Sequence, residues 1–168
     1  MLSHPQKSLN KMNKLKLFTA SLLTISLISS CSPVDIDFQK ENLIQPEDFF
    51  ASSYEKYGIY YFQEECPMCK DTLPFITDYL KKVHRKRDKY ELKEIYFIDA
   101  YVTPLNKFNA DAGFDIFLSD QIGVTDVKDV YTVGYPLLYI VEKISDVNTI
   151  VDIKIGKAAV TEYIKTIW

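Results

Sequence analysis

Two cysteines three residues apart, in Cys66-Pro67-Met68-Cys69, are the side chains of this sequence best suited to chemistry. At that spacing two thiols can close a small ring. One attacks a disulfide, and the second releases the mixed disulfide that results. The thiolate is the attacking species, and the unpaired N–H groups and positive dipole end of a helix N-terminus favour it. Pro67 suits a first helical turn, where a missing N–H costs nothing. The flanking sequence supplies such a junction. Gly58-Ile59-Tyr60-Tyr61-Phe62 reads as a buried strand. After the motif, Leu73, Phe75, Ile76, Tyr79, Leu80 and Val83 recur at close to helical spacing.

Other chemistries fit less well. A zinc site needs four ligands, or three and a water; the domain offers only Cys66, Cys69 and His84, so no metal is expected. As a purely structural disulfide, Cys66–Cys69 would close so small a ring that it would remove little chain entropy. Asn109-Ala110-Asp111-Ala112-Gly113-Phe114-Asp115, with Asp120 beyond, echoes a calcium loop but lacks the glycine and final glutamate such a loop requires. It is read as a surface loop. His84 has no Ser, Cys or Asp partner at a telling spacing and is expected on an exposed helix face. The run Lys81-Lys82-Val83-His84-Arg85-Lys86-Arg87 suits the solvated C-terminal end of a helix. The Tyr and Phe of the strands are expected in the core.

The elements that must position the motif follow in order. Pro46-Glu47-Asp48-Phe49-Phe50 looks like a short helix start. After the strand at 58–62 and the helix over about 71–82, Ile95-Tyr96-Phe97-Ile98 reads as a second strand. The stretch 101–130 is long for a crossover; a short helix and an irregular insertion are expected near Thr103–Asp120, and a helix over Val124–Tyr131. Pro136 precedes a third strand, Leu137–Val141. Thr149–Ile155 alternates like an edge strand with one wet face, and an amphipathic helix closes the chain over Ala158–Trp168. The order is β–α–β, a connection, then β–β–α. The fold class is α/β, a central mixed sheet flanked by helices.

From about Phe49 to Trp168 this pattern resembles the thioredoxin superfamily. Three features carry the resemblance: a strand leading into Cys-x-x-Cys-Lys, ending in Cys69-Lys70; Pro74, five residues after Cys69; and Val133-Gly134-Tyr135-Pro136-Leu137-Leu138, which resembles the family's cis-proline loop. Asp99, Gly156 and the last helix are also in family register. The resemblance implies that Cys66 and Cys69 are the catalytic pair. It also implies that Pro136 is cis and faces them, and that Tyr135, Pro136, Pro67 and Met68 line a substrate groove. The redox-active disulfide itself serves in place of any cofactor. Two positions depart from the family. Tyr60 stands where thioredoxins hold a buried aspartate, and Glu65, preceded by Glu64, stands where they hold a tryptophan. That leaves the proton relay for Cys69 to Glu64, to Glu65 or to no dedicated base. Met68 offers the Cys66 thiolate no strong donor, so the expected potential lies between the family's extremes.

The N-terminus reads as an address. Residues 7–16 are lysine-rich, and Leu17–Ile28 is uncharged but too short to span a bilayer. Together they make a secretory signal peptide over residues 1–30. Met12 begins a more typical signal and is the expected start. Leu27-Ile28-Ser29-Ser30-Cys31 resembles the bacterial lipobox, which implies cleavage before Cys31 and lipidation of its thiol. The acyl chains would hold the protein at the outer face of the cytoplasmic membrane. Residues 31–46 are read as a tether and 47–168 as the domain. The chain carries −3 overall, but removing the four lysines of residues 1–30, which hold no acid, takes 20 basic side chains to 16 against 23 acidic, a balance near −7. That excludes the basic footprint nucleic acid demands.

The function expected from these readings is an extracytoplasmic, membrane-anchored thiol–disulfide oxidoreductase. Its partners are exported cysteine-containing proteins or peptides and a membrane redox partner that resets the pair. The accessory thioredoxins of bacteriocin export are similar. The alternative is a thioredoxin-like binding module for an exporter or secreted client, without redox turnover.

Overall fold

The computed structural model describes residues 37–107 and 114–168. The signal segment 1–30, Cys31, the tether as far as residue 36 and residues 109–113 of the calcium-like loop lie outside them. The described elements are α1 (Phe38–Glu41), β1 (Lys56–Phe62), α2 (Pro67–Arg85), β2 (Ile95–Asp99), β3 (Asn106–Lys107), α3 (Phe114–Gln121), β4 (Tyr131–Thr132), β5 (Leu137–Ile144), β6 (Val147–Ile155) and α4 (Gly156–Thr166). Among the described residues no helix is long and apolar enough to cross a membrane.

Four strands form one sheet in the order β2-β1-β5-β6. β1 runs parallel to β2, with Tyr61 opposite Ile98, and antiparallel to β5, with Tyr61 opposite Leu137. β5 and β6 are antiparallel, with Leu137 opposite Ile155 and an irregularity at Ile140/Val141. β3 and β4 make a separate parallel pair. β1 is buried on both faces, so its apolar run has no polar alternation. Its side chains still divide by the period of two. Tyr60 and Phe62 pack with Ile76, Leu80 and Val83 of α2 and with Val160 and Ile164 of α4. Tyr57, Ile59 and Tyr61 pack on the other face with Phe117 of α3 and Tyr139. At Gly58 an added Cβ would lie 3.1 Å from Leu138 and 3.2 Å from Ile95, so the neighbouring strands close on it.

Two regions differ from the sequence-based expectation. Part of the stretch read as a tether packs on the domain. Phe38 is buried in the α2-side core. The Phe97 N–H donates to the Asn42 carbonyl, and the Ile44 N–H to the Phe97 carbonyl, both at 2.9 Å. Residues 42–44 thus extend the outer edge of β2. The second difference is the helix expected over Val124–Tyr131. In its place is a single 3-10 turn, Val127–Asp129, started by Asp126, whose carboxylate accepts the Lys128 N–H at 3.0 Å. The Gly123 N–H donates to the Ile150 carbonyl at 2.8 Å, and the Ile150 N–H to that of Val124 at 3.0 Å. These bonds tie the segment to β6. Its β-branched Val124, Thr125, Val127 and Val130 are weak helix formers, so the ladder wins.

Candidate functional site

The Cys pair lies where β1 hands over to α2, the longest of the described helices. β1 ends at Phe62, and the Cys66 N–H donates to the Gln63 carbonyl at 3.1 Å, closing a turn. Cys66 then caps α2 from extended backbone, and its Sγ accepts the Cys69 N–H at 3.2 Å. The sulfur takes the place of the Ser or Asp oxygen that usually caps a helix. Pro67 fills the first helical position. Both cysteines are free thiols, 7% and 2% exposed for Cys66 and Cys69. Burial pushes the Cys69 thiol up to about 12, and its hydrogen bond with Cys66 adds to the rise; the Gln63 backbone and the Tyr60 hydroxyl pull the other way.

Tyr60 reaches this pair from β1. It is fully buried, and its hydroxyl donates to the Cys69 carbonyl at 3.3 Å. Its ring is stacked on Phe62 with centroids 5.8 Å apart and meets Phe97 edge-on at 5.9 Å. Burial raises the phenol well above its ordinary range, and the Cys69 sulfur beside it raises it further. A cavity of about 160 Å³ opens beside these groups, lined by Tyr60, Cys69, Glu64, Lys70, Gln39 and Leu73 among others.

On the far side of the same sheet end, the Tyr135–Pro136 peptide is cis, and Gly134 has φ of +146°. The antiparallel register pairs Tyr61 with Leu137, so one further step sets Pro136 opposite Phe62, four residues before Cys66. The Pro136 carbonyl accepts the Gly156 N–H at 2.8 Å, which ties this loop to the start of α4. A groove of about 660 Å³ runs here between Tyr61, Gln63, Tyr101 and Leu105 on one side and Thr132–Tyr135 on the other.

One topological pattern accounts for these placements: a βαβ unit with parallel strands, an antiparallel hairpin added at its inner edge, helices α2 and α4 sharing one face, and the Cys pair at the start of α2, at the sheet end where β5 begins. The fold is thioredoxin-like. Two solved thioredoxin structures are similar to the chain. Chloroplastic thioredoxin z matches at 15% identity and a TM-score of 0.42 over 75% of this chain and 92% of its own. Plasmodium falciparum thioredoxin matches at 12% identity and a TM-score of 0.40 over 74% of this chain and 86% of its own. No protein-family model and no curated protein matches the sequence.

In the thioredoxin-like domain the residues read as functional fall into three groups. Cys66 and Cys69 are brought together, with Pro67 and half-exposed Met68 between them on the first turn of α2. Tyr135, 39% exposed, and buried Pro136 lie at the neighbouring end of β5. Of the two carboxylates considered as relays, Glu64 lines the cavity beside Cys69, whereas Glu65 is exposed and is absent from that lining. His84 is exposed on α2, as expected, and it also has a carboxylate partner. Its Nε2 lies 3.1 Å from Oε2 of buried Glu94, which also accepts from Asn42 Nδ2 at 2.8 Å. Among the described residues no group of three or more His, Cys, Asp or Glu side chains could hold a metal. Two features were not read from the sequence. One is the contact of Tyr60 with Cys69, although the position had stood out for its residue type. The other is the Tyr101 side of the groove, exposed just beyond β2 with only an aromatic side chain as its signal.

Proposed function

We propose that this domain is a thiol–disulfide oxidoreductase acting on exported cysteine-containing proteins or peptides. The observation that carries the reading is the N-terminus of α2, where the Cys66 sulfur caps the helix and accepts the Cys69 N–H at 3.2 Å. A backbone N–H and the N-terminal end of a helix are directed at that sulfur, and the second thiol lies one turn on. In the reducing direction the Cys66 thiolate attacks a client disulfide; one client sulfur leaves as a thiolate and the other is held in a Cys66–client disulfide. Cys69 gives up its proton and attacks Cys66. The Cys66–Cys69 bond forms and the second client sulfur leaves, so the client gains the two electrons that the pair loses. The oxidising direction is the reverse. The partner that recycles the pair sets which one runs.

The groove before β5, with exposed Tyr135 in its wall, is the proposed seat for the client chain, and the family resemblance adds Pro67, Met68 and Pro136 as contacts. Its Tyr101 and Tyr135 side chains suit an extended segment with apolar residues. The location rests on the sequence. The signal over 1–30 and the lipobox-like Leu27–Cys31 support a lipid anchor on Cys31 at the outer face of the cytoplasmic membrane. A membrane redox partner would reset the pair there.

Insulin reduction and client trapping test this. The purified domain is expected to reduce insulin with a recycling dithiol, and Cys66→Ser to abolish that turnover. Cys69→Ala is expected to accumulate disulfide-linked clients in the native host that dithiothreitol releases. A wild-type protein with no turnover and a Cys69→Ala protein with no trapped client would overturn the reading in favour of a redox-silent binding module.

A further inference from the structure

We propose that Tyr60 is the positioning residue for the resolving thiol: its buried hydroxyl, aimed at Cys69 from the central strand, donates a hydrogen bond to the Cys69 thiolate as that sulfur attacks Cys66. The inference deepens the thiol-exchange reading above and depends on it. The Tyr60 ring is clamped between Phe62 and Phe97, so its hydroxyl has a fixed aim. That aim is at α2, where it donates to the Cys69 carbonyl at 3.3 Å and lies against the Cys69 thiol. A fully buried hydroxyl without a good acceptor is costly, and a 3.3 Å bond to a neutral carbonyl is a long one. A thiolate at Cys69 would be a far stronger acceptor.

The chemistry of the pair gives the hydroxyl its task. Cys69 is 2% exposed, and burial pushes its thiol up to about 12, so it holds its proton at neutral pH. The same burial raises Tyr60, so the phenol also keeps its proton and cannot serve as the base. It is a donor only. The titratable groups that face it are Cys66 and Cys69 at the head of α2, with Glu64 and Lys70 around the cavity of about 160 Å³ beside them. Thr72 on α2 also contacts the hydroxyl; its Oγ1 donates to the Met68 carbonyl at 2.7 Å and so can only accept from Tyr60, as the Cys69 carbonyl does. In the resolving step the Cys69 proton leaves to water through that cavity, which is roomy enough to admit it. The Tyr60 O–H supports the developing negative charge. The Cys66–Cys69 bond forms, the bond from Cys66 to the client breaks, and the departing sulfur takes a proton from solvent. No other oxidant or reductant takes part.

The test isolates that step. The reduced protein is treated with oxidised glutathione to form the Cys66–glutathione disulfide. Its intramolecular decay is then followed after acid quenching in wild type and Tyr60→Phe, which keeps the ring clamp and removes only the hydroxyl. Tyr60→Phe is expected to decay about tenfold more slowly at each pH from about 6 to 9, the worth of one hydrogen bond to a charged sulfur. Alkylation of Cys66 by iodoacetamide should proceed at the wild-type rate, which separates a lost donor from a disturbed fold. Equal decay in the two proteins would overturn the role of Tyr60 while leaving thiol exchange intact. A wild-type adduct that never decays would instead overturn thiol exchange itself, and this inference with it. Should Tyr60→Phe not fold, a ring-fluorinated tyrosine at position 60 keeps both ring and hydroxyl. Its more acidic phenol should speed the decay, and an unchanged rate would overturn the proposal.

Discussion

The hydroxyl of Tyr79 pairs both backbone polar groups of Leu92. It donates to the Leu92 carbonyl and accepts the Leu92 N–H, both at 3.0 Å, which fastens α2 to the chain entering β2. Removing it leaves a buried donor and a buried acceptor unpaired, so Tyr79→Phe should destabilise the domain by about 1–3 kcal/mol, read from urea unfolding. A loss below about 0.5 kcal/mol would mean that water reaches Leu92. Tyr60 and Tyr79 look alike in the sequence, since each falls in an apolar pattern that marks it as core. That much was legible. What distinguishes them is what the far end of the ring meets: a strand entry for one and a thiol for the other. Periodicity reports which face a residue takes, not what lies six ångströms along its side chain. The same holds for His84, whose partner Glu94 stands across a helix end and a loop, outside any helical spacing rule.

Among the elements, Gly156 carries more than punctuation. Its φ of +79° lies in the left-handed region, where a Cβ is strained even though nothing lies within 4 Å of one built there. In that conformation its N–H meets the Pro136 carbonyl at 2.8 Å while the chain turns from β6 into α4. Gly156→Ala should therefore cost about 1 kcal/mol, or a fall in Tm of roughly 4 °C. Unchanged melting would show that the turn relaxes without strain. Gly156 and Pro136 were both visible as signals, as were Cys66-Pro67 at the head of α2 and the strands β1, β2 and β5. The reading failed where local preference met a distant ladder. Residues 124–131 read locally as a helix, but the bonds from Gly123 and Val124 to Ile150 belong to a strand some 26 residues on. Residues 38–44 looked like tether because a single buried Phe38 and one edge pairing leave little periodic trace.

Taken as a whole, the molecule holds several phenols deep in its core. Tyr57, Tyr60, Tyr79 and Tyr139 are all fully buried, on both faces of the sheet, and burial raises each of them well above the ordinary 10.0. In the unfolded chain these groups ionise near that ordinary value, while in the folded chain they hold their protons to higher pH. Above about pH 10 the unfolded state therefore binds fewer protons than the native one, so stability falls as pH rises, and the contribution is fully present below that pH. Cys69 acts in the same sense from a lower start, its ordinary value being 9.0 and its folded value about 12. The reduced protein should lose stability from about pH 9 upward, and the Tm should fall steeply beyond pH 10. Phenolate absorbance from these four residues should then appear together with the loss of far-UV circular dichroism, not ahead of it. Oxidising Cys66–Cys69 removes the thiol contribution, so the oxidised protein should hold its Tm through pH 9–10 and decline only with the tyrosines. Phenolate that grew gradually, with the fold intact, would show that solvent reaches the rings and that the core is looser than its packing implies.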